Sequence, residues 1–308
     1  MSDARDGDTR LLRRLEAGLV LSLAAALRPL PLRVRIATGH AIGRLGFSLA
    51  GRRRRLAIAN VRLALGVQPA EARRIVARSF RHFGRVLVEC MTLPTYATSK
   101  VADRFEVEGF DHFLRAHERG QGVIVFSAHF GNWELAAVRQ AAANYPMDFI
   151  ARPLDNPWLE RTFTGWRERA GNRVLGKRGV LRRSLASLRS GRSLAILIDQ
   201  NVRTPPRLFL PFLGRLASVT PTLGHLAVRV GPPVVPLVSY AEPRGRYRIV
   251  YGPALDVPRD GSLDERVSAV TREALAMIEG WVRGHPEQWL WLHDRWKSQP
   301  MPGEEREP

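Results

Sequence analysis

The chain has 308 residues, 45% of them hydrophobic, which is ordinary for a globular protein and enough for a sizeable core. The charge is unusual: 48 Lys and Arg against 29 Asp and Glu give +19, a balance that attracts anionic lipid or acidic protein unless it merely reflects a basic proteome. No nucleic-acid-binding signature accompanies it, and the single cysteine, Cys90, excludes an intrachain disulfide or a cysteine zinc cluster.

Residues 1–9 are polar and read as a frayed end. Arg10, Arg13 and Arg14 then precede an apolar run, Ala17–Leu27, that stops at Arg28-Pro29. The run is short of the roughly 20 apolar residues a spanning helix needs. It reads as a cleaved signal peptide, for which Ala24-Ala25-Ala26 is the candidate site, or as an uncleaved anchor lying in the membrane interface or partly inserted. The flanking Glu16, Arg28 and Pro29 favour the anchor. Ile36–Leu49 is a second apolar-rich stretch, with Gly39, Gly43 and Gly46 at helical intervals, and Arg52–Arg55 follow it. This pairing fits an anionic membrane surface, or a core helix followed by a solvated charge run. Pro69–Thr92 has a helical period with Ile75, Phe80, Phe83, Val86 and Leu87 as its expected inner face. Cys90 belongs to an apolar run there and reads as a core thiol. Residues 1–100 thus form an expected basic, helical, membrane-docking region.

From about Val101 strands alternate with helices, which predicts an α/β fold with a mixed sheet and flanking helices over 101–298. Expected strands are Phe105–Val107, Val123–Phe126, Asp148–Arg152, Ser193–Asp199, Pro233–Tyr240 and Tyr247–Tyr251. Expected helices are Asp111–Arg119, one opening near Glu134, Trp158–Arg169, Val180–Leu188, Pro221–Val230 and Leu263–Val282. Residues 299–308 read as a disordered tail.

The chemistry concentrates at strand ends. Val123–Phe126 runs into Ser127-Ala128-His129, Gly131 permits a tight turn, and Asn132 is a candidate N-cap. His129 would sit at the carboxyl end of a strand, where open α/β sheets bind ligands, with Glu134 in the next helix's first turn. An imidazole whose other nitrogen meets a carboxylate is a general base. Ser127 lacks the nucleophile elbow, so the pair suits direct attack by a substrate hydroxyl. The plainer alternative has His129 capping the strand and Glu134 answering the helix dipole. Arg152, after the next strand and before Pro153, is a candidate for binding phosphate or an oxyanion, the plainer alternative being a surface ion pair. Asp199-Gln200 ends the SLAILID strand, where Asp199 could bind substrate, orient a basic residue or cap a turn. Near the C-terminus Trp289, Trp291 and Trp296 stand beside Arg295 and Lys297, suiting either a lipid interface or the core. His293 reads as structural.

His129-Phe-Gly-Asn-Trp-Glu134 resembles the H-x4-D/E block of the lysophospholipid acyltransferase superfamily, in the form found in bacterial lipid A biosynthesis (late) acyltransferases. Asn60 in its apolar setting, Arg152, Asp199-Gln200, Pro211-Phe-Leu-Gly214, Thr220-Pro-Thr222 and Pro286-Glu-Gln-Trp-Leu-Trp291 follow the family order; Leu213 stands where the family has Phe. The resemblance implies a glycerol-3-phosphate acyltransferase-like fold at the cytoplasmic face of the inner membrane. It also implies His129 and Glu134 as catalytic residues, with Asn132, Arg152, Asp199 and Gln200 as substrate-binding residues. The implied donor is an acyl carrier protein thioester, the acceptor an anionic lipid A precursor, and no metal or cofactor is needed. The alternatives are another glycolipid acceptor, such as a phosphatidylinositol mannoside, and a non-catalytic membrane-peripheral binding protein.

Overall fold

The computed structural model describes residues 2–96, 99–151, 153–176 and 179–301. Four helices come first: α1 (Ser2–Leu27), α2 (Leu32–Leu49), α3 (Gly51–Leu65) and α4 (Pro69–Met91). Helix begins at Ser2, so it runs through the stretch expected to be frayed, and Arg52–Arg55 lie within α3. Among the described residues no helix is long and apolar enough to cross a membrane.

The glycines of α2 serve a close helix crossing. A Cβ at Gly39 would lie 2.6 Å from Arg85 Cα, one at Gly43 2.3 Å from Phe80 O, and one at Gly84 2.2 Å from Gly39 O. Only bare backbones allow α2 and α4 to approach that closely. On α4 the buried face includes Ala72, Ile75, Val76, Phe80, Val86 and Val88. Leu87, expected inward, is exposed, and Phe83 is half-buried, because the face turns toward α2 and the sheet.

The remainder follows in the order β1 (Phe105–Glu108), α5 (Phe110–His117), β2 (Val123–Ser127), α6 (Trp133–Ala142), β3 (Met147–Ile150), α7 (Pro157–Glu168), β4 (Arg173–Leu175), α8 (Val180–Arg189), β5 (Ser193–Leu197), β6 (Leu208–Phe212), β7 (Arg215–Val219), α9 (Thr222–Val230), β8 (Val234–Ala241), β9 (Tyr247–Tyr251) and α10 (Leu263–Gly284). Seven strands form one sheet in the order β1-β9-β8-β2-β5-β3-β4. Its pairings are parallel except β8 with β9, which makes the sheet mixed as expected. β6 and β7 form a separate hairpin, absent from the sequence reading, as was the short β4. Its two-residue turn, Leu213-Gly214, has positive φ at both positions (51° and 73°), the primed geometry that matches strand twist.

β2 is buried at every position and alternates between two cores. Ile124 and Phe126 face α9, α10, the hairpin and parts of α3 and α4, with Trp289, Trp291 and Trp296 on the same side. Val123 and Val125 face the side of α5, α6 and α7. Residues of the first four helices therefore share cores with the sheet. The tail beyond 301 lies outside the described residues.

Candidate active site

The register of two parallel strands assembles the site. Ser127 of β2 pairs with Leu197 of β5, and two residues past each lie His129 and Asp199. The His129 backbone N–H donates to Asp199 Oδ2 at 2.9 Å, and ring Nδ1 meets Oδ1 at 2.8 Å. The Trp289 indole N–H also donates to Oδ2, at 2.8 Å. A carboxylate only accepts, so Nδ1 carries the ring proton and Nε2 keeps its lone pair. The Asp199 side chain is 2% exposed and that of His129 19%. Burial would push the Asp199 carboxyl up; the charge and hydrogen bonds of His129, with the Trp289 indole, outweigh it and hold it below the usual range.

The turn after His129 is clamped on several sides. Gly131 has φ +56°, and a Cβ there would fall 1.5 Å from Ser239 O, so any other residue would collide with β8. Gly131 N–H donates to Gln288 O at 2.9 Å, Leu290 N–H to His129 O at 3.1 Å, and His82 Nε2 lies 3.0 Å from Gly131 O. The segment 286–291 therefore straps the catalytic turn. The tryptophans near the C-terminus take the core alternative: Trp289, Trp291 and Trp296 are all buried. Arg295 is fully buried too, donating to Ser218 O and stacked over Phe212. Burial pushes its guanidinium down to about 10, opposed by the charge of Asp199. Asn60 donates to the carbonyls of Trp291 and His293, and His293 Nε2 accepts from the Asn201 N–H at 2.9 Å, a structural role.

Two expectations are corrected by this geometry. Glu134 does not reach the imidazole; its carboxylate takes Arg167 of α7 bidentately, at 2.9 and 2.5 Å. The first turn of α6 points it along the helix face toward α7, and Asp199 takes the place beside Nδ1. Asn132, expected at the substrate, is fully buried. Its Oδ1 caps α6 by accepting from Leu135 N–H at 3.1 Å, and its Nδ2 donates to Glu89 at 2.8 Å. Glu89 in turn holds Arg85 and the Tyr247 hydroxyl. Gln200 is near the base: its amide nitrogen lies 3.1 Å from His129 Nε2. Arg152 lies outside the described residues.

His129 opens onto a cavity of about 380 Å³ between the sheet and α6 and α7. Its deep wall is apolar, built from Val125, Ala136, Ala137, Met147, Ala195 and Leu237; Trp133, Gln200 and the Glu134–Arg167 pair lie around it as well. The volume falls in the range of small-ligand sites. The Trp133 ring stands edge-on to the imidazole, 4.9 Å between centroids. The arrangement can deprotonate a hydroxyl at Nε2 beside an apolar slot. Arg167 and the Trp289–Asp199 bond escaped the sequence reading, since each joins segments far apart in the chain.

The family model for bacterial lipid A biosynthesis acyltransferases matches residues 4–298. The chain is 30% identical over 277 residues to the lipid A biosynthesis palmitoleoyltransferase of Escherichia coli K12, covering 88% of each chain. It is 26% identical over 276 residues to the lauroyltransferase of the same organism, covering 88% of this chain and 87% of that one. It is 27% identical over 244 residues to a phosphatidylinositol mannoside acyltransferase of Mycobacterium tuberculosis, covering 77% of this chain and 75% of that one.

Proposed function

The chain belongs to the bacterial lipid A biosynthesis acyltransferase family, and from that premise we propose that it moves a fatty acyl group from an acyl carrier protein thioester to a hydroxyl of a lipid A precursor, late in that lipid's acylation. The observation that carries the reading is the His129 imidazole, fixed by Asp199 at Nδ1, with Nε2 at the mouth of an apolar cavity.

In this mechanism the acyl chain lies in the cavity against Ala136, Ala137 and Ala195, and the thioester carbonyl rests near Nε2. The acceptor hydroxyl takes the place of the Gln200 amide. His129 removes its proton as the oxygen attacks the carbonyl carbon. The freed Gln200 N–H turns to the oxygen that gains negative charge. Collapse breaks the C–S bond, and the imidazolium returns its proton to the leaving thiolate, giving an ester and a free carrier thiol. Asp199 stabilises the transient imidazolium, which is worth most in a site so little exposed to water. Glu134 and Arg167 shape the cavity wall and hold α6 to α7. Arg152 is kept as a candidate contact for phosphate or the oxyanion.

Two features support the surroundings. The net charge of +19 suits an acidic donor protein and an anionic acceptor. On α1, Leu11, Leu12, Leu15, Leu19 and Leu23 are all exposed, Leu19 by 74%, on the face turned away from the body. An outward apolar stripe with arginines on the other face of the helix suits a helix lying in a membrane interface, at the cytoplasmic face of the inner membrane where carrier proteins reach it.

The test is acyl transfer by purified protein, offered acyl carrier protein thioester with either a lipid A precursor or a phosphatidylinositol mannoside. Ester formation on the lipid A precursor is expected. Transfer only to the mannoside would move the reading to that glycolipid, and binding of both without transfer would end it.

A further inference from the structure

A second cavity, of about 570 Å³, lies between α1 and the start of α7, lined by Arg10, Arg13, Arg14 and Arg161 with Pro157 and Trp158. Among residues 10–301 whose side chains are described, no acidic side chain lines it and the four guanidinium groups have no ion-pair partner; Arg14 instead lies over the Trp158 ring, 5.4 Å from its centroid. Two nearby carboxylates have other partners. Glu16 accepts from Asn156, and Glu160 accepts from the Leu154 N–H and the Thr164 hydroxyl.

The walls are held in place by one buried side chain. Asn156 Nδ2 donates to Arg13 O at 2.7 Å and to Glu16 at 2.9 Å, tying down α1. Its Oδ1 accepts from the Trp158 and Leu159 N–H groups, capping α7. Four like charges around one hollow repel each other, and an anion placed between them removes that repulsion. Planar guanidinium forks suit the oxygens of phosphate.

Position sets the identity of the anion. α7 runs from this hollow at Trp158 and Arg161 to Arg167 in the wall of the His129 cavity. At 1.5 Å per residue the two hollows are about 9–14 Å apart along one helix. The exposed leucines of α1 lie on the opposite side of the helix that brings Arg10, Arg13 and Arg14 to the hollow. A phosphorylated sugar headgroup at a bilayer surface meets both features. A concave hollow of this size suits a small phosphorylated group, whereas protein partners meet across a broad surface.

We infer that this hollow is a phosphate-recognition subsite for the headgroup of the acceptor glycolipid, seating it while a hydroxyl of the same molecule meets His129. The inference rests on the acyltransferase reading above and adds the means of acceptor recognition.

The experiment uses the full chain and an Arg13→Gln/Arg161→Gln variant, with circular dichroism and melting to verify folding, and Arg13→Lys/Arg161→Lys as the charge-keeping comparison. Binding is measured by flotation with phosphatidylcholine vesicles carrying the bis-phosphorylated lipid A precursor, its phosphatase-treated form or phosphatidylglycerol. Steady-state kinetics are measured for acceptor and donor. The wild type is expected to prefer the phosphorylated glycolipid about 10-fold or more, and the Gln variant to lose that preference. The acceptor KM should rise about 10- to 100-fold with kcat within about threefold and donor KM unchanged, and the Lys variant should recover part of the loss. A Gln variant that keeps the preference overturns the subsite. So does a rise confined to donor KM, which would assign the arginines to the carrier protein. So does an equal loss of binding to phosphatidylglycerol vesicles, which would make the patch a general anionic contact. An arginine-dependent preference in a protein that acylates no lipid A precursor would sink the functional reading and leave the subsite standing; acylation with a preference indifferent to the arginines does the reverse.

Discussion

Replacing Asp199 by Asn separates the two carboxylates that could serve His129. The side chain keeps its shape but loses its charge and one acceptor. Two fixed donors, the His129 N–H and the Trp289 indole, both point at Oδ2. The Asn oxygen must take that position, which turns its NH₂ group toward Nδ1. The ring then answers by accepting at Nδ1 and carrying its proton at Nε2, the tautomer that cannot take a proton from substrate. A charge about 4 Å away at an effective dielectric near 20 is worth about 4 kcal/mol to the imidazolium, or about 10³-fold in rate. With the lost base, kcat should fall about 10³- to 10⁴-fold. The assay is initial-rate acyl transfer under saturating donor and acceptor, with near-native circular dichroism as the folding control. Glu134→Gln is the matched comparison. It leaves Arg167 unpaired in the cavity wall, so it should cost about 1–3 kcal/mol of stability and less than about tenfold in kcat. If Asp199→Asn keeps a tenth of the activity, or if Glu134→Gln loses more than Asp199→Asn does, the assignment of the imidazole's partner is wrong.

Gly131→Ala should fail to give soluble protein, since its Cβ meets the Ser239 carbonyl and its backbone sits at positive φ; recovery of a normally melting protein would contradict the turn geometry. Ala136→Leu should shift acyl preference to shorter chains without raising the acceptor KM, read by mass spectrometry of products from a mixed donor pool; an unchanged preference would remove the acyl chain from that cavity. His82 is held down to about 4 by burial, against an ordinary 6.5, so the unfolded chain binds its proton first. Stability should therefore fall by roughly 3 kcal/mol as pH drops from about 6.5 to 4, and His82→Gln should flatten that slope in denaturant titrations. The folded Asp199 carboxyl is depressed as well, because its charged form is favoured by His129 and the Trp289 indole, so its contribution is full above an ordinary carboxylate pKa and is lost only as pH falls below it, a step absent from Asp199→Asn.

The sequence made some of this site visible and concealed the rest for physical reasons. A β-branched run ending at His129, a glycine and an Asn cap describe a strand-to-helix turn in one continuous segment, and local patterns of that kind survive folding. The partner of the imidazole is not local. Asp199 reaches it because β2 and β5 pair with Ser127 opposite Leu197, a register that no spacing within HFGNWE encodes. Glu134 is five residues from His129, yet the helix points it at Arg167. The tryptophans near the C-terminus illustrate a second limit. Beside Arg295 and Lys297 they suited a membrane interface equally well, and the decision came from indole hydrogen bonds to Asp199 and to the Pro286 carbonyl inside the core. The glycines of α2 are a third case: their helical spacing was plain, but the helix they face, α4 at Gly84, became visible only in three dimensions.

The most direct test replaces the chromosomal codon for His129 with one for alanine and compares lipid A from the two strains by mass spectrometry, with immunoblotting to verify equal protein. Loss of one acyl chain from lipid A, restored by the wild-type gene, is the result this account requires. An unchanged lipid A profile in cells containing the folded His129→Ala protein contradicts it.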